Sequence, residues 1–575
     1  MPDLRVDDVS ITYRVTADTG RGDVAAVRDV SLELPAGGTL GIAGESGSGK
    51  STLAMSVLRL LPRNARVTGR VLLGEEDVLT LGWGRLRALR WAGASVVFQG
   101  AMHSLNPVRR VGAQVKEALE LHVKDGYRTD AAREARVSDL FTQVDLAPEK
   151  VHAYPHELSG GQRQRVMIAL ALACDPDVVI ADEPTTALDV VVQAQVLTLL
   201  ARLVRERGIS LLMITHDLSV LASACERIAV MKDGVVVEQG RSADVVRRPE
   251  HPYTRALAAA FPVIGDPASR LHPVSQREAE GEARATPADG GQLLTTRRSG
   301  TANPQQFPAS GSDPQSPGEV LLEARDVSVA FRTRAGLVRA VDQVSLQCRS
   351  GEIVALVGQS GSGKTTLART LLGLHPVDRG EVHYRGEPLA RDRRGLRDFR
   401  RKVQLVLQDP SGALNPKQSV YESVAEGIRI HRLPGAEEEL VARALSRAEL
   451  RPPGQFFSAI PQELSGGQQQ RVVIAGALAL EPEFLLADEP VASLDASVRG
   501  EILALLLGLR RRLGLGALVI THDLGLAWNI ADRVLVMYQG RIVEEGTVED
   551  VLLRPQHDYT RTLLAAVPVA AAAAH

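Results

Sequence analysis

Short runs in which nearly every residue is apolar recur at matched places in the two halves of this chain. Thr39–Ala43 and Ile353–Val357 each run straight into a glycine-rich loop. Val178–Ile180 and Leu485–Leu486, then Leu211–Ile214 and Leu518–Ile520, follow further along. Runs this short and this apolar predict strands buried on both faces, and their alternation with helical segments predicts a parallel sheet covered by helices. Each half opens on β-rich alternation instead, over Asp8–Tyr13 and Val27–Leu34 in the first and Asp326–Phe331 and Val341–Leu346 in the second. The pattern after each glycine-rich loop predicts a helix, Ser51–Leu61 and Thr365–Leu374. Arg-, Glu- and Ala-rich helical stretches before the two LSGGQ segments predict an inserted helical subdomain.

The recurrence is a duplication. LSGGQ at Leu158 and Leu464, ADEP at Ala181 and Ala487, and ITHDL at Ile214 and Ile520 all stand 306 residues apart. Chance similarity would drift over that distance. The 575 residues therefore divide into an expected first domain 1–265, a linker 266–317 and a second domain 318–575. The linker is rich in Pro, Ala, Gly, Ser and Gln, and cannot bury enough apolar surface to fold alone. As roughly 50 flexible residues it would reach on the order of 40 Å, enough to let the halves face each other head to tail.

Composition narrows the function classes. A net charge of −2 with well-mixed signs argues against nucleic acid as the main partner. Cys174, Cys225 and Cys348 are far apart and form no CxxC pair, so neither a disulfide framework nor a zinc or iron–sulfur site is expected. MPDLRVDDVS has no basic segment followed by an apolar run, so no secretory signal is expected. No stretch of about 18 apolar residues occurs, so any membrane role is expected to come through a partner.

The chemistry lies in the repeated motifs. GESGSGKS (Gly44, Glu45, Ser46, Gly47, Ser48, Gly49, Lys50, Ser51) and GQSGSGKT (Gly358, Gln359, Ser360, Gly361, Ser362, Gly363, Lys364, Thr365) each join a strand to a helix. Their backbone N–H groups, with those of Thr52 and Thr366, would surround phosphate oxygens at the helix N-terminus. Lys50 and Lys364 would face the β- and γ-phosphates, and the Ser51 and Thr365 hydroxyls would ligate Mg²⁺. Asp182 and Asp488 end apolar strands, where a carboxylate reaches a metal at the sheet's C-terminal edge. Glu183 and Glu489 follow directly, placed to polarise the attacking water. An isolated Asp-Glu pair reads as a surface cap; two pairs at matched distance from a phosphate loop do not. His216 and His522 follow apolar strands and are expected to contact the γ-phosphate. Ser159, Gly160, Gly161 and Gln162, with Ser465, Gly466, Gly467 and Gln468, open helices whose hydroxyl, N–H groups and dipole form a second anion site. Each half thus carries two phosphate-binding surfaces, which two facing halves can bring to one nucleotide.

Phosphate loop, glutamine after a strand (Gln99, Gln408), LSGGQ, acidic pair, Leu188-Asp189 or Leu494-Asp495, and histidine occur in the order of the ABC-transporter nucleotide-binding domain, which nearly the whole chain outside the linker resembles. The resemblance implies an α/β fold: two tandem P-loop NTPase domains, each a RecA-like parallel-sheet core with an antiparallel β subdomain and a helical subdomain. It implies that ATP binds between the phosphate loop of one half and the LSGGQ of the other. One site would hold Gly44–Ser51, Gln99, Asp182, Glu183 and His216 with Ser465–Gln468 from across the interface. The other would hold Gly358–Thr365, Gln408, Asp488, Glu489 and His522 with Ser159–Gln162. In the family the glutamines join the Mg²⁺ shell, and Tyr13 and Phe331 fall where an aromatic ring stacks on adenine.

HSLNP (His103–Pro107) and GALNP (Gly412–Pro416), with HPYTRALAAAFP (His251–Pro262) and HDYTRTLLAAVP (His557–Pro568), are similar to the ATP-binding subunits of dipeptide/oligopeptide/nickel importers. Two such subunits stand fused here, an arrangement similar to that of glutathione-importer ATPases. Gly100 departs from the Asp409 of the second copy, in the loop that couples to the membrane partner. The cysteine cluster that some relatives carry after HPYT is missing, so no iron–sulfur centre is expected. The resemblance implies two integral-membrane permease subunits, an extracytoplasmic substrate-binding protein, no nucleic acid, and a place on the cytoplasmic face of the inner membrane. A soluble tandem ATPase acting on ribosomes or DNA is the alternative. It would be expected to carry a charged helical linker or zinc-binding cysteines, and a fused exporter would need membrane spans.

Overall fold

Alternate residues of the short apolar strands enter different cores. In Val178–Asp182, Val178 and Ile180 pack with Leu53, Val71 and Leu86, whereas Val179 and Ala181 pack with Leu140, Ile168 and Leu199. The second half repeats this, Phe484 and Leu486 on one side of the sheet and Leu485 and Ala487 on the other. Both faces being covered explains why these strands have no polar side. The computed structural model describes residues 2–567 except 18–19, 99–103, 123–126, 187, 261–262, 272–317, 334–335, 391 and 493.

Each half contains a six-stranded sheet. In the first its order is Val235–Arg241, Arg227–Lys232, Thr39–Ala43, Ser210–Ile214, Val178–Asp182, Ala94–Val97; all neighbours run parallel but the first pair. The second half has the same order built from Arg541–Thr547, Arg533–Tyr538, Ile353–Val357, Gly516–Thr521, Phe484–Asp488 and Val403–Val406. The alternating segments form separate four-stranded antiparallel sheets, centred on Leu4–Ala17 and Val320–Thr333. Helices Val111–His122 and Asp130–Gln143, and their counterparts Val420–His431 and Glu437–Arg447, form the inserted subdomains.

The helices leaving the glycine-rich loops are shorter than their apolar periodicity predicts: Lys50–Val57 and Lys364–Leu371. Arg59 (φ 48°) and Gly373 (φ 64°) turn left-handed. Leu60 N–H then donates back to the Met55 carbonyl at 2.9 Å, and Leu374 N–H to that of Arg369 at 2.8 Å. This closure satisfies the last carbonyls and ends the helix while apolar residues continue.

Two contacts between the halves lie away from the phosphate loops. Helix Pro252–Ala259 packs against Ala496–Leu513 of the other half, and Asp558–Ala565 against Val190–Arg207. The second contact is a strap. Trp528 Nε1–H donates to the Asp266 carbonyl at 3.2 Å, Asn529 Nδ2 to that of Ser269 at 2.7 Å, and Leu271 N–H to that of Asn529 at 2.8 Å. Arg270 pairs with Glu549 at 3.1 Å and lies over the Trp528 ring. The first half has Ala222 and Ser223 at the places of Trp528 and Asn529, so the strap is one-sided. The rest of the expected linker, 272–317, lies outside the described residues.

Candidate active site

Both phosphate loops fold the same way around their lysine. Lys50 Nζ donates to the carbonyls of Gly44 (2.8 Å) and Glu45 (2.6 Å), and Lys364 Nζ to those of Gly358 (2.7 Å) and Gln359 (2.8 Å). Burial holds both ammonium groups below the usual lysine range; Glu183, Asp495 and Asp182 oppose this at Lys50, and Glu489, Asp189 and Asp488 at Lys364. Each lysine is thus a buried cation with acidic neighbours, and its ammonium is the group in the loop that would pair with phosphate oxygens. Two features leave the cradle fitted for anionic oxygen. Ser362 Oγ is buried without a hydrogen-bond partner, and a Cβ on Gly47 or Gly361 would meet nothing within 4 Å.

The metal and water groups stand beside the loops. Ser51 Oγ donates to Asp182 Oδ1 at 3.1 Å, and Thr365 hydrogen-bonds Asp488. A hydroxyl beside a carboxylate is a donor set that suits Mg²⁺, which completes its shell with substrate phosphate and water. Burial raises the pKa of both aspartates against those hydrogen bonds. Glu183 and Glu489 go the other way: burial would raise them, but it is outweighed by the combined hydrogen bond and charge of His216 or His522, the nearby Lys50 or Lys364 and, at Glu183, the Thr186 hydroxyl. His216 Nδ1 lies 3.2 Å from Glu183 Oε1, and His522 Nδ1 lies 2.9 Å from Glu489 Oε1. Both glutamates sit at positive φ, 46° and 47°. Left-handed backbone is costly for a glutamate and is kept where surrounding structure fixes it. Gln408 Nε2 donates to Glu489 Oε2 at 2.7 Å, so it positions the glutamate directly; Gln99, Gly100 and His103 lie outside the described residues.

The two LSGGQ segments form reciprocal caps. Ser159 Oγ accepts from Gln162 N–H at 3.3 Å while Gln162 Oε1 accepts from Ser159 N–H at 3.1 Å, and Ser465 and Gln468 repeat the pair at 3.3 and 2.9 Å. Gly161 and Gly467 are there for closeness: a Cβ would stand 2.4 Å from Val192 Cγ1 or 2.3 Å from Val498 Cγ1. Each signature helix is thereby pressed onto the helix that starts at Asp189 or Asp495. Those aspartates join the halves. Ser46 N–H donates to Asp495 Oδ1 at 2.9 Å, and Ser360 N–H to Asp189 Oδ2 at 3.2 Å. The phosphate loop of each half therefore meets the segment beside the signature of the other.

Tyr13 and Phe331 differ in surroundings. Tyr13 OH donates to Thr52 Oγ1 at 3.4 Å beside the phosphate-loop helix, whereas Phe331 sits edge-on to His375. Thr366 follows Thr365 in the corresponding helix of the second half.

Sequence reasoning missed a brace. Glu45 N–H donates to Tyr253 OH at 2.9 Å, and Gln359 N–H to Tyr559 OH at 2.9 Å. These are the tyrosines of HPYT and HDYT, whose helices also pack on the opposite half. The recurrence of the two segments 306 residues apart was the available signal, but sequence separation of about 200 residues hid what the hydroxyls touch.

Comparison with known proteins gives the family. The family model described as ABC transporter matches residues 27–186 and 341–492, and that described as oligopeptide/dipeptide transporter, C-terminal region, matches 237–292 and 543–575. The glutathione import ATP-binding protein GsiA of Escherichia coli (strain K12) is 41% identical over 584 residues, covering 99% of this chain and 90% of that protein. Its namesake in Salmonella typhimurium is 41% identical over 570 residues, covering 96% and 88%. Among solved structures, cbiO1 of Clostridium perfringens, part of the ABC transporter complex cbiONQ, is 29% identical over 41% of this chain and 92% of its own, with a TM-score of 0.38.

Proposed function

The chain belongs to the ABC transporter family and is its ATP-hydrolysing subunit, and from that premise we propose that it energises uptake of small peptides of the glutathione type. The observation that carries the reading is the pair of ties from Ser46 to Asp495 and from Ser360 to Asp189. They join each phosphate loop to the opposite half, so closing one site is coupled to closing the other.

In this reading Gly44–Ser51 and Gly358–Thr365 wrap the phosphates of two ATP molecules, and Lys50 and Lys364 neutralise charge that builds on the transferred group. Mg²⁺, held by Ser51 with Asp182 and by Thr365 with Asp488, supplies further charge neutralisation. Glu183 and Glu489, kept anionic by their histidines, accept hydrogen bonds from the attacking waters. Ser159–Gln162 and Ser465–Gln468 approach from the opposite half, and hydrolysis removes the bridge that holds the halves together.

The cargo class rests on the HPYT-type regions and on the glutathione importers named above. Two permease subunits and an extracytoplasmic binding protein complete the importer, with this chain on the cytoplasmic face. No helix among the described residues is long and apolar enough to cross a membrane. Co-purification from a detergent extract, followed by reconstitution with the captured permeases, tests this. ATP turnover stimulated by binding protein loaded with glutathione or a short peptide supports it; capture of ribosomes and no permease would favour the soluble alternative.

A further inference from the structure

The duplication makes each half a control for the other, and one interface contact has no twin. Arg499 Nη2 lies 3.2 Å from His216 Nε2, across the interface, while its Nε donates to the Leu494 carbonyl at 2.8 Å and so aims the guanidinium. The matched place in the first half, 306 residues earlier, is Gln193. His522 therefore meets no guanidinium from that position. A second mismatch lies beside it. Thr186 Oγ1 donates to Glu183 Oε2 at 2.8 Å, whereas the matched residue by Glu489 is Ala492, which has no hydroxyl to give.

The contact fixes the state of His216. A guanidinium is always a donor and never gives up its proton, so the ring nitrogen facing it must be the acceptor. That leaves the ring proton on Nδ1, where Glu183 Oε1 accepts it. The first site thus holds the His216 ring between a fixed cation and the glutamate, whose second oxygen accepts from the Thr186 hydroxyl. Among the described residues, Glu489 is met by its own histidine and by Gln408.

We propose that the two ATP sites are chemically non-equivalent, and that Arg499 of the second half is a positioning residue for the first site. It acts through His216, orienting the Nδ1–H toward Glu183 and adding positive charge from across the interface near the group that departs. A preplaced cation next to developing phosphoryl charge lowers the barrier, so the first site is the faster one. The inference rests on the ATPase reading above and goes beyond it, since the shared motif residues at the two sites are alike.

The test exchanges the two residues in the full chain. Arg499→Gln should lower kcat about tenfold, less than the hundredfold or more that loss of a donor in direct contact with the reacting group costs, because Arg499 acts through His216. KM for ATP should change less than twofold. Gln193→Arg alone should raise kcat about twofold, by giving the second site the same guanidinium opposite His522. The exchange Arg499→Gln with Gln193→Arg should recover turnover to within about threefold of the natural chain, which a merely structural loss at position 499 could not do. Unchanged kcat in Arg499→Gln, no gain in Gln193→Arg, or an exchange variant no faster than Arg499→Gln would each overturn the inference. A natural chain without ATP turnover would instead overturn the ATPase reading itself.

Discussion

A tyrosine hydroxyl in each half accepts from the backbone N–H that follows the first glycine of the phosphate loop. Tyr253→Phe keeps the ring packed but leaves Glu45 N–H unpaired, and Tyr559→Phe does the same to Gln359. A lost hydrogen bond at a half-buried amide costs about 1–2 kcal/mol. The loop should loosen, and ATP affinity should fall about three- to tenfold with kcat little changed; a nucleotide titration that leaves the affinity unchanged would show the brace to be passive. A second residue-scale expectation concerns pH. Burial would lower the pKa of His522, but Glu489 raises it above the model-peptide value of 6.5. The pair's stabilisation is therefore full below that value and is lost as pH rises through the folded-state pKa. Denaturation of the natural chain and of His522→Gln should differ most near neutral or mildly acidic pH, and the gap should narrow toward alkaline pH.

At this scale much was legible in advance. The loops, acidic pairs, histidines and signature caps stand in contiguous letters, so the sequence marked them twice as candidates. Arg499 was invisible because its meaning lies in what it faces, 283 residues away, and because Gln193 breaks the repeat there. The contact of Gln408 with Glu489 was not legible, because a side chain's rotamer is set by neighbours that spacing does not reveal.

Among the elements, the signature helices are held by glycine at the crossing with the helices that begin Val190 and Ala496. Gly161→Ala would put a methyl group 2.4 Å from Val192 Cγ1. Overpacking of this kind costs about 1–3 kcal/mol. We expect Gly161→Ala to lower thermal stability and ATP turnover, and Val192→Ala in the same chain to restore much of both; failure of that rescue would mean the glycine serves something other than the crossing. The strands were readable because burial on both faces leaves an unbroken apolar signature. The phosphate-loop helices were overrun by three or four residues because Leu60, Leu61 and Leu374 extend the apolar pattern past a backbone closure that periodicity does not encode.

For the molecule as a whole, the halves are joined by ties at both phosphate loops and, among the described residues, by a strap on one side. The strap's anchor is Trp528, 3% exposed under Asp266–Leu271. Trp528→Ala should free Arg270 from its stack and its pairing with Glu549, so trypsin should cut after Arg270 at least several times faster, as read by mass spectrometry of the fragments. Equal cleavage would place the strap's strength elsewhere. The sequence showed that the halves could face each other, from linker length and the two anion sites per half. It did not show that the strap, the HPYT-type helices and Asp189 and Asp495 would together fix how they meet.

The central claim is that the two sites work as one closing unit. Steady-state ATP turnover of Glu489→Gln, measured on the full chain with its permeases, tests it most directly. Coupling predicts a rate far below half that of the natural chain, because a stalled second site holds the faster first site closed; retention of half or more would mean independent sites and would contradict the account.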